Sequence, residues 1–486
     1  MTSSTNQFLR PLTTQTNSKG NLEIGGCDVV ELAEKYSTPL YVVDEKTLRS
    51  ICQDYKKAFA KYPKTNMMYA SKALCTSAIA TILADEGFGF DAVSGGEIYT
   101  VYKAGVDMTK VLFNGNNKSY DELTLALEVG VGRISVDNFF ELALLNEIAQ
   151  SKGIVADALL RITPGIECHT HEYIQTGHLD SKFGFDLTQI DEAVELIQNE
   201  YKNIKIHGLH AHIGSQIFET SIFPDEIEIM AREISRINEK FGLKLHEINI
   251  GGGLGVKYTE ADVPPSTYEI AELIINKLHE VSEKYNIEPP TLFIEPGRSI
   301  ISTSGVTLYT VGSSKQVPHG TKYVAIDGGM ADNPRPSMYQ AEYTVEFVGN
   351  INDDFAIGGG ICECVDEPFF LWRIAGTECA EYYALELLGV EDFLNNLSLD
   401  AGEEREDDDV VVVFVVRLEG AAVSRGLVIF FLGVDFDRFK TDSATHIHKH
   451  LSRGGYHHRT ASDLRIFIHR NRGTDHIGIG IVCKML

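Results

Sequence analysis

Lys72 is the residue whose chemistry is most informative. It follows Thr65-Asn66-Met67-Met68, a short segment with the composition of a buried strand. A lysine amine that leaves a strand end into a pocket can lose its proton through burial, and it then acts as a Schiff-base nucleophile. Most lysines in such positions are surface or salt-bridged residues. Support for Schiff-base chemistry at Lys72 must therefore come from other segments.

Three downstream segments provide that support: His210-Ala211-His212-Ile213-Gly214-Ser215-Gln216, Gly251-Gly252-Gly253-Leu254-Gly255 and Glu295-Pro296-Gly297-Arg298. Glycines after a strand let backbone N–H groups approach an anion without obstruction by side chains, although triple glycine is more often only a tight turn. Arg298 adds positive charge, and Ser215 offers a hydroxyl.

Together these segments resemble the fold type III family of pyridoxal-phosphate decarboxylases, most closely its diaminopimelate decarboxylase branch. The resemblance covers roughly residues 20–345. It implies pyridoxal phosphate as the cofactor, attached to Lys72. A carboxylate at Glu295 would keep the pyridine nitrogen protonated, which makes the ring a better electron sink. The other cofactor-binding residues that the resemblance implies are Asp91, Arg161, His212, Ser215, Gly251, Gly252, Gly253, Gly297 and Arg298.

Other interpretations of these residues remain open. Glu295 could simply pair with Arg298, and His212 could be a hydrogen-bonded core histidine. His210 has the same alternation phase as His212 and could face the same way. The choice of His212 as the residue that stacks on the cofactor ring depends on its His-Ile-Gly-Ser context.

A substrate-side segment resembles the family in Asp327-Gly328-Gly329-Met330 and Arg335-Pro336-Ser337-Met338-Tyr339. Guanidinium groups bind carboxylates through two parallel hydrogen bonds. The resemblance implies that Arg298, Arg335 and Tyr339 hold the distal carboxylate of meso-2,6-diaminopimelate, which would be decarboxylated to L-lysine and CO2. Arg335 could instead be a rigid exposed loop residue. The alternative functions are an ornithine- or arginine-type decarboxylase and a catalytically inactive cofactor-binding relative that acts through protein partners.

Cys362-Glu363-Cys364-Val365-Asp366 stands where the family has Cys-Glu-Ser-Gly-Asp. The resemblance implies a homodimer with shared active sites, in which Cys362 donates a proton and Glu363 binds a substrate amine. Val365 replaces a glycine that a turn with positive φ would require. The family's tyrosine-bearing segment has no counterpart after Asp366. We therefore expect impaired turnover.

The elements that must position these residues alternate between strands and helices. Helical spacing occurs at 119–129, 138–151 and 268–285, and apolar strand-like segments end near Ala70, Val93, Phe113, Val136, Ile162, Ile213, Ile250 and Ile294. This pattern predicts a (β/α)8 barrel with its chemistry at the C-terminal strand ends, in preference to a doubly wound open sheet. We predict an N-terminal segment 1–48, a barrel 49–300 and a mostly β domain 301–486 that the N-terminal segment joins.

Composition limits the classes of function. A net charge of −26 argues against nucleic-acid binding, and eight cysteines without paired ligand spacing favour a reducing compartment. The apolar segment Val410 to Val416 is too short to span a bilayer and predicts a strand. The N-terminus lacks the pattern of a signal peptide, so we expect a cytoplasmic protein, with an organellar location left open. His446, His448 and His450 lack a Cys or carboxylate partner at ligand spacing, so no metal site is expected.

Overall fold

Eight parallel strands form a closed barrel in the computed structural model of the chain. The structure describes residues 3–165, 181–318, 322–329, 331–336 and 341–348, and four strands between 410 and 483. The strands pair in the order of the sequence, and the last pairs with the first. They are β5 (Thr65–Ala70), β6 (Gly89–Ala92), β7 (Val111–Phe113), β8 (Arg133–Val136), β9 (Ala156–Thr163), β11 (Ile204–His210), β12 (Glu247–Asn249) and β13 (Thr291–Ile294). The short β10 (Phe185–Asp186) pairs with the end of β9.

Helices precede, connect and follow the barrel strands. They are α2 (Glu45–Ala58), α3 (Ser77–Asp85), α4 (Gly95–Lys103), α5 (Tyr120–Val129), α6 (Phe139–Lys152), α7 (Ile190–Asn199), α8 (Ile222–Phe241), α9 (Thr267–Lys284) and the single turn α10 (Arg298–Ile301). Local sequence sets several of their ends. Ser119 and Glu122 form a reciprocal capping box at the start of α5, and Gly130 ends that helix in a left-handed conformation.

The predicted barrel is confirmed, and most strand ends agree with the sequence pattern within one residue. The largest difference is β11, which ends at His210 rather than near Ile213. His212 therefore lies in the loop after the strand, whereas His210 is the last strand residue. Most apolar side chains of the barrel strands and the surrounding helices form one large buried core, and a separate buried cluster on four of the strands comprises Met68, Leu112, Leu159 and Phe293.

A smaller β arrangement joins the N-terminal segment to residues after the barrel. It comprises β1 (Gln15–Thr16), β2 (Leu22–Ile24), β3 (Cys27–Asp28), α1 (Val29–Tyr36), β4 (Leu40–Val43), β14 (Gly305–Leu308), β15 (Val311–Gln316) and β16 (Lys322–Ile326). β4 pairs with β14, and Leu22 N–H donates to the carbonyl of Val348 at 2.9 Å. Both sides of the barrel sequence thus contribute to this part, as expected from the sequence.

The chain divides into two compact units, residues 1–388 and 389–486. In the second unit, β17 (Val410–Arg417) pairs with β18 (Leu427–Val434), and β19 (Leu464–Arg470) pairs with β20 (Ile477–Cys483). Each pair is antiparallel, and the predicted strand at Val410 is confirmed. The proposed bounds 1–48, 49–300 and 301–486 stay a prediction. Among the described residues, no helix is both long and apolar enough to cross a membrane.

A buried ion pair stabilises the C-terminal end of the barrel, here called its mouth, at the loops after β7 and β8. Lys118 Nζ donates to Glu141 Oε1 at 2.7 Å, and both side chains are almost fully buried. The same amine donates to the carbonyls of Gly115 and Ser135. Glu141 Oε2 in turn accepts the N–H of Asp137 at 3.1 Å. This network fixes the loops that follow both strands.

We predict that Lys118→Met lowers the free energy of unfolding by about 3–5 kcal/mol, because it leaves the Glu141 carboxylate buried without its counter-charge. Urea denaturation measures the change. The matched control is Lys152→Met, which removes a 2.7 Å pair with Glu128 at the surface and should cost less than about 1 kcal/mol. Equal costs for the two variants would contradict a bracing role for the buried pair.

Candidate active site

Lys72 lies at the C-terminal end of β5, in a single helical turn that follows Ala70. Ala70 is paired in the sheet with Asp91, so the two strand ends are adjacent. The Lys72 side chain is exposed. The amine nevertheless belongs to the barrel mouth, because its charge acts on Asp91 and Glu295.

The Glu295 carboxylate is the centre of the polar network. It follows β13 directly and is 5% exposed. Its Oε1 accepts Asn249 Nδ2–H at 2.7 Å and Asn114 Nδ2–H at 3.2 Å, and it lies 3.2 Å from His210 Nε2. Glu295 therefore does not pair with Arg298, which was the alternative left open by the sequence. The ends of three strands hold this carboxylate: β11 and β12 are neighbours, and β7 lies on the other side of the barrel.

Two buried carboxyl groups share this network with different proton affinities. Asn114 Nδ2 also donates to Asp91 Oδ1 at 2.6 Å. Burial and the neighbouring Glu295 charge raise the pKa of Asp91 to about 7. Burial alone would raise the pKa of Glu295 too, but the charge and hydrogen bond of His210, with the charges of His212 and Lys72, lower it to about 2. Glu295 thus keeps its negative charge at neutral pH.

The two histidines occupy different environments. Burial lowers the pKa of His210, although Glu295 opposes this shift. In the neutral ring, Nε2–H can donate to Glu295, while the buried Nδ1 has no partner within the described part of the chain. Burial, followed by the charges of Lys72 and Arg161, lowers the pKa of His212 well below its usual range. Its Nδ1 accepts the N–H of Gly252 at 3.3 Å. His212 is thus bound to the glycine turn, which is formed by Gly251, Gly252 and Gly253.

The glycine turn after β12 is packed so closely that it excludes side chains. A Cβ on Gly252 would lie 2.1 Å from the carbonyl oxygen of Glu295, and one on Gly253 would lie 2.4 Å from that of Gly214. Gly251 is equally restricted, since its Cβ would lie 2.6 Å from His212 Nδ1. In the described ranges the N–H of Gly253 has no hydrogen-bond partner. The turn therefore presents backbone that an anion can approach.

Arg298 and Ser215 stand beside this turn. Arg298 Nη2 donates to Ser215 Oγ at 3.0 Å. Gly297 must also lack a side chain, because a Cβ there would lie 2.9 Å from Ala70 Cβ. Backbone donors, a hydroxyl and a guanidinium at one place, with an ionised buried carboxylate elsewhere at the mouth, fit a ligand that carries a phosphate and a basic ring nitrogen. The donor set thus fits pyridoxal phosphate.

Arg161 extends the network towards the loop that follows β9. It is 6% exposed, and its guanidinium lies 4.2 Å above the Phe183 ring and 3.9 Å from Asp137 Oδ1. Asp137 Oδ1 also accepts the N–H of Gly184 at 3.0 Å. Arg161 therefore ties the loop to the barrel, and its charge acts on His212.

A second cluster joins Arg298 to Arg335 through two tyrosines. Arg298 Nη1 donates to the Tyr258 hydroxyl at 2.7 Å, and the Arg335 guanidinium lies 4.9 Å from the Tyr258 ring centroid. Arg335 Nη1 donates to the Tyr343 hydroxyl. Arg335 is half-buried rather than a free loop residue. Tyr339, Cys362 and Glu363 lie outside the described residues, as do Val365 and His446, His448 and His450.

Sequence reasoning missed several members of the site. Asn249 and the contact of His210 with Glu295 were not predicted, and neither was Tyr258. Asn114 directly follows the strand that the sequence predicted to end near Phe113. Their position in the sequence could have identified them. Asn114, His210 and Asn249 are the last residues of barrel strands or follow them directly.

Another group of potential metal ligands comprises His207, His246 and Glu247. Glu247 is the first residue of β12, at the opposite end of the barrel strands from the site. Its two carboxylate oxygens already accept Arg133 Nε–H at 2.9 Å and Arg133 Nη2–H at 2.7 Å. The Glu247 carboxylate therefore forms an ion pair with Arg133, and both of its oxygens are already occupied.

Comparison with known proteins agrees with this geometry. Residues 46–302 match the family model for the pyridoxal-dependent decarboxylase, pyridoxal binding domain. The diaminopimelate decarboxylase of Bacillus subtilis is 44% identical over 377 residues, which cover 76% of this chain and 85% of the relative. That of Synechocystis is 46% identical over 377 residues, with 75% and 80% covered.

The chain belongs to the diaminopimelate decarboxylase family. A crystal structure of the family member from M. jannaschii in complex with L-lysine has a TM-score of 0.64 and 35% identity, covering 69% of this chain and 78% of that one. The family model spans the whole barrel, so residues 46–302 form the pyridoxal-binding domain.

We predict that Asp91→Asn removes a pH dependence from the stability of the cofactor-free chain. Because the folded pKa of Asp91 is raised to about 7 from its usual 3.8, the folded wild type retains a proton that the unfolded chain releases between these values. Wild-type stability therefore falls as the pH rises through this window. Relative to the wild type, the variant should gain stability from pH 5 to pH 7, as measured by urea denaturation, and the gain should then level off.

The control is Asp107→Asn. Hydrogen bonds from Thr109 lower the pKa of Asp107, so its contribution is complete above the usual value and constant from pH 5 to 8. A pH-independent difference between Asp91→Asn and the wild type would refute the raised pKa.

Proposed function

We propose that this chain decarboxylates meso-2,6-diaminopimelate to L-lysine and CO2 with pyridoxal phosphate, as a lyase of lysine biosynthesis. The observation that carries this proposal is the ionised, fully enclosed Glu295 carboxylate at the same barrel mouth as Lys72 and the glycine turn. The substrate assignment is supported by the two relatives that are 44% and 46% identical, both of which are named diaminopimelate decarboxylase.

Different residues at the mouth of the barrel would bind different parts of the cofactor. The Lys72 amine would hold its aldehyde carbon, and Glu295 would keep the ring nitrogen protonated. The phosphate would bind the backbone of Gly251, Gly252 and Gly253 with Ser215 and Arg298. His212 would face the ring, while Asp91, Arg161 and Gly297 shape the surroundings. When bound, the cofactor supplies an electron sink for the pair left on the substrate carbon as CO2 departs.

The substrate would be held at its far end. Arg298, Arg335 and Tyr339 would bind the distal carboxylate, which an ornithine- or arginine-type substrate lacks. Glu363 would bind an amine, and Cys362 would return a proton to the carbon that lost CO2. An ornithine- or arginine-type activity is not favoured, because relatives that are 44% and 46% identical to this chain carry the diaminopimelate name. The inactive-relative alternative is likewise not favoured, and the impaired turnover expected from Val365 stays a prediction.

Two further features belong to this proposal. We propose a homodimer with shared sites, because the resemblance of Cys362-Glu363-Cys364-Val365-Asp366 to the family's Cys-Glu-Ser-Gly-Asp segment implies that it reaches the cofactor of the neighbouring subunit. A cytoplasmic location is proposed from the eight cysteines without paired ligand spacing, which favour a reducing compartment.

We predict that the wild-type protein decarboxylates diaminopimelate with a higher kcat/KM than ornithine or arginine, measured as CO2 release. Lys72→Ala should abolish turnover while the circular dichroism spectrum is retained. Borohydride reduction of the cofactor-loaded wild type, followed by peptide mapping, should label Lys72.

The control for labelling is Lys182→Ala, which removes another exposed lysine after β9 and should leave the label on Lys72. A label on a different lysine would refute the cofactor assignment. Faster decarboxylation of ornithine or arginine would refute the substrate assignment.

We predict that inactive Lys72→Ala and Cys362→Ala chains regain activity when they are mixed under conditions that exchange subunits. One of the two sites in each heterodimer would combine an intact lysine with the partner's intact cysteine. Random exchange should thus restore about a quarter of wild-type activity. Verified heterodimers without recovery would show that each chain carries a self-contained site.

A further inference from the structure

Tyr258 is held rigidly at the edge of the barrel mouth. It follows the glycine turn by a few residues, and its N–H donates to Asp262 Oδ2 at 2.9 Å. Its carbonyl accepts two hydrogen bonds from Thr344, from the N–H at 3.1 Å and from Oγ1 at 3.0 Å. Both sides of the peptide backbone are therefore anchored, and the direction of the side chain is well defined.

The Tyr258 side chain contacts both arginines that the proposed function assigns to the distal carboxylate. Its hydroxyl accepts Arg298 Nη1–H at 2.7 Å, while Arg298 Nη2 is bound to Ser215. The Arg335 guanidinium lies over the ring at 4.9 Å, and the Tyr343 ring packs edge-on at 5.0 Å. One phenol thus fixes one arginine through its oxygen and the other through its π face.

Neither arginine has a carboxylate partner among the described residues. The ion pairs found in those ranges include no contact to Arg298 or Arg335. The positive charge at this place is not neutralised, and it affects Tyr258 itself. Burial would raise the pKa of Tyr258, but the charges of Arg298 and Arg335 lower it below its usual value. Tyr258 contacts both unneutralised guanidinium groups, and its hydroxyl and π face are favourable partners for positive charge.

We propose that Tyr258 is a specificity-determining positioning residue, which sets the spacing of Arg298 and Arg335 so that both meet the distal carboxylate of the substrate. This inference rests on the proposed function. Because the arginines are already ordered by the hydroxyl and the ring, less conformational entropy is lost when the carboxylate binds. The ligand class is an amino acid whose non-reacting end carries a carboxylate.

Two small molecules separate this role from a general structural one. L-Lysine, the proposed product, retains the distal carboxylate, whereas cadaverine has the same chain and lacks it. We would measure the dissociation constant of each from the cofactor-loaded, full-length protein by equilibrium dialysis. Tyr258→Phe removes the hydroxyl and keeps the ring, while Tyr258→Leu removes both contacts.

For Tyr258→Phe we expect L-lysine to bind about three- to tenfold more weakly, since a hydrogen bond to a charged group is lost. For Tyr258→Leu we expect a loss of more than about tenfold, because the contact with Arg335 is also removed. Cadaverine affinity should stay within about twofold of wild type in both variants, since cadaverine makes no use of the arginine pair. With diaminopimelate, KM should rise while kcat changes little, as expected for an interaction with a non-reacting group.

The control is Tyr62→Phe, which removes the hydroxyl of a buried tyrosine whose 2.7 Å bond to the Pro290 carbonyl lies away from the site. It should leave the ratio of the two dissociation constants unchanged. Equal weakening of L-lysine and cadaverine in both Tyr258 variants, or unchanged L-lysine affinity, would overturn the inference. A wild-type protein that does not prefer L-lysine to cadaverine would overturn the proposed function instead. Tyr258→Phe preserves the shape of the side chain and keeps the test decisive if Tyr258→Leu does not fold.

Discussion

A single negative charge enclosed at the mouth of the barrel is the constraint on which the site depends. Glu295 is 5% exposed, and a carboxylate in that position is stable only if hydrogen bonds replace its lost water. Asn114, His210 and Asn249 provide them. These residues come from three different strands, so the carboxylate can be ionised and buried at the same time only after the barrel has closed. Folding and the chemistry of the site are linked through this one group.

Closure of the sheet makes this possible. Asn114 and Glu295 are 181 residues apart in the sequence, yet parallel strands in a closed ring bring all their C-terminal ends to one rim. The same closure forces two carboxyl groups into one network. Burial, together with the neighbouring ionised Glu295, raises the pKa of Asp91, and the pair avoids two adjacent negative charges in a buried place. Lys72 stands at the same rim, where its positive charge favours the ionised form of either carboxyl group.

The sequence predicted the positions of the site better than its contacts. Alternating apolar segments placed Ala70, Phe113, Val136 and Ile294 at strand ends, and these are the ends that the structure has. Strand ends follow from local periodicity, whereas hydrogen-bond partners depend on which strands meet. The contact of His210 with Glu295 was missed because residues 210 and 212 share a phase and only the end of β11 at His210 distinguishes them. The exposure of Lys72 and the contacts of Tyr258 depend likewise on tertiary packing that no local pattern contains.

The mouth of the barrel contains two parts that differ in burial and charge, and the difference follows from the function of each part. The network around Glu295 consists of residues on or directly after strands, is almost fully buried and carries negative charge. Arg335, Tyr258 and Tyr343 lie in loops, are only half-buried and surround unneutralised positive charge. Electron withdrawal by a bound cofactor requires a fixed charge in a rigid, dry place, and strand ends provide it. Recognition of the far end of a substrate requires only a well-oriented pair of guanidinium groups, which loops can hold if an aromatic ring orders them. A change in these loops can therefore alter which amino acid is accepted while the charge at Glu295, and the chemistry that depends on it, stays the same.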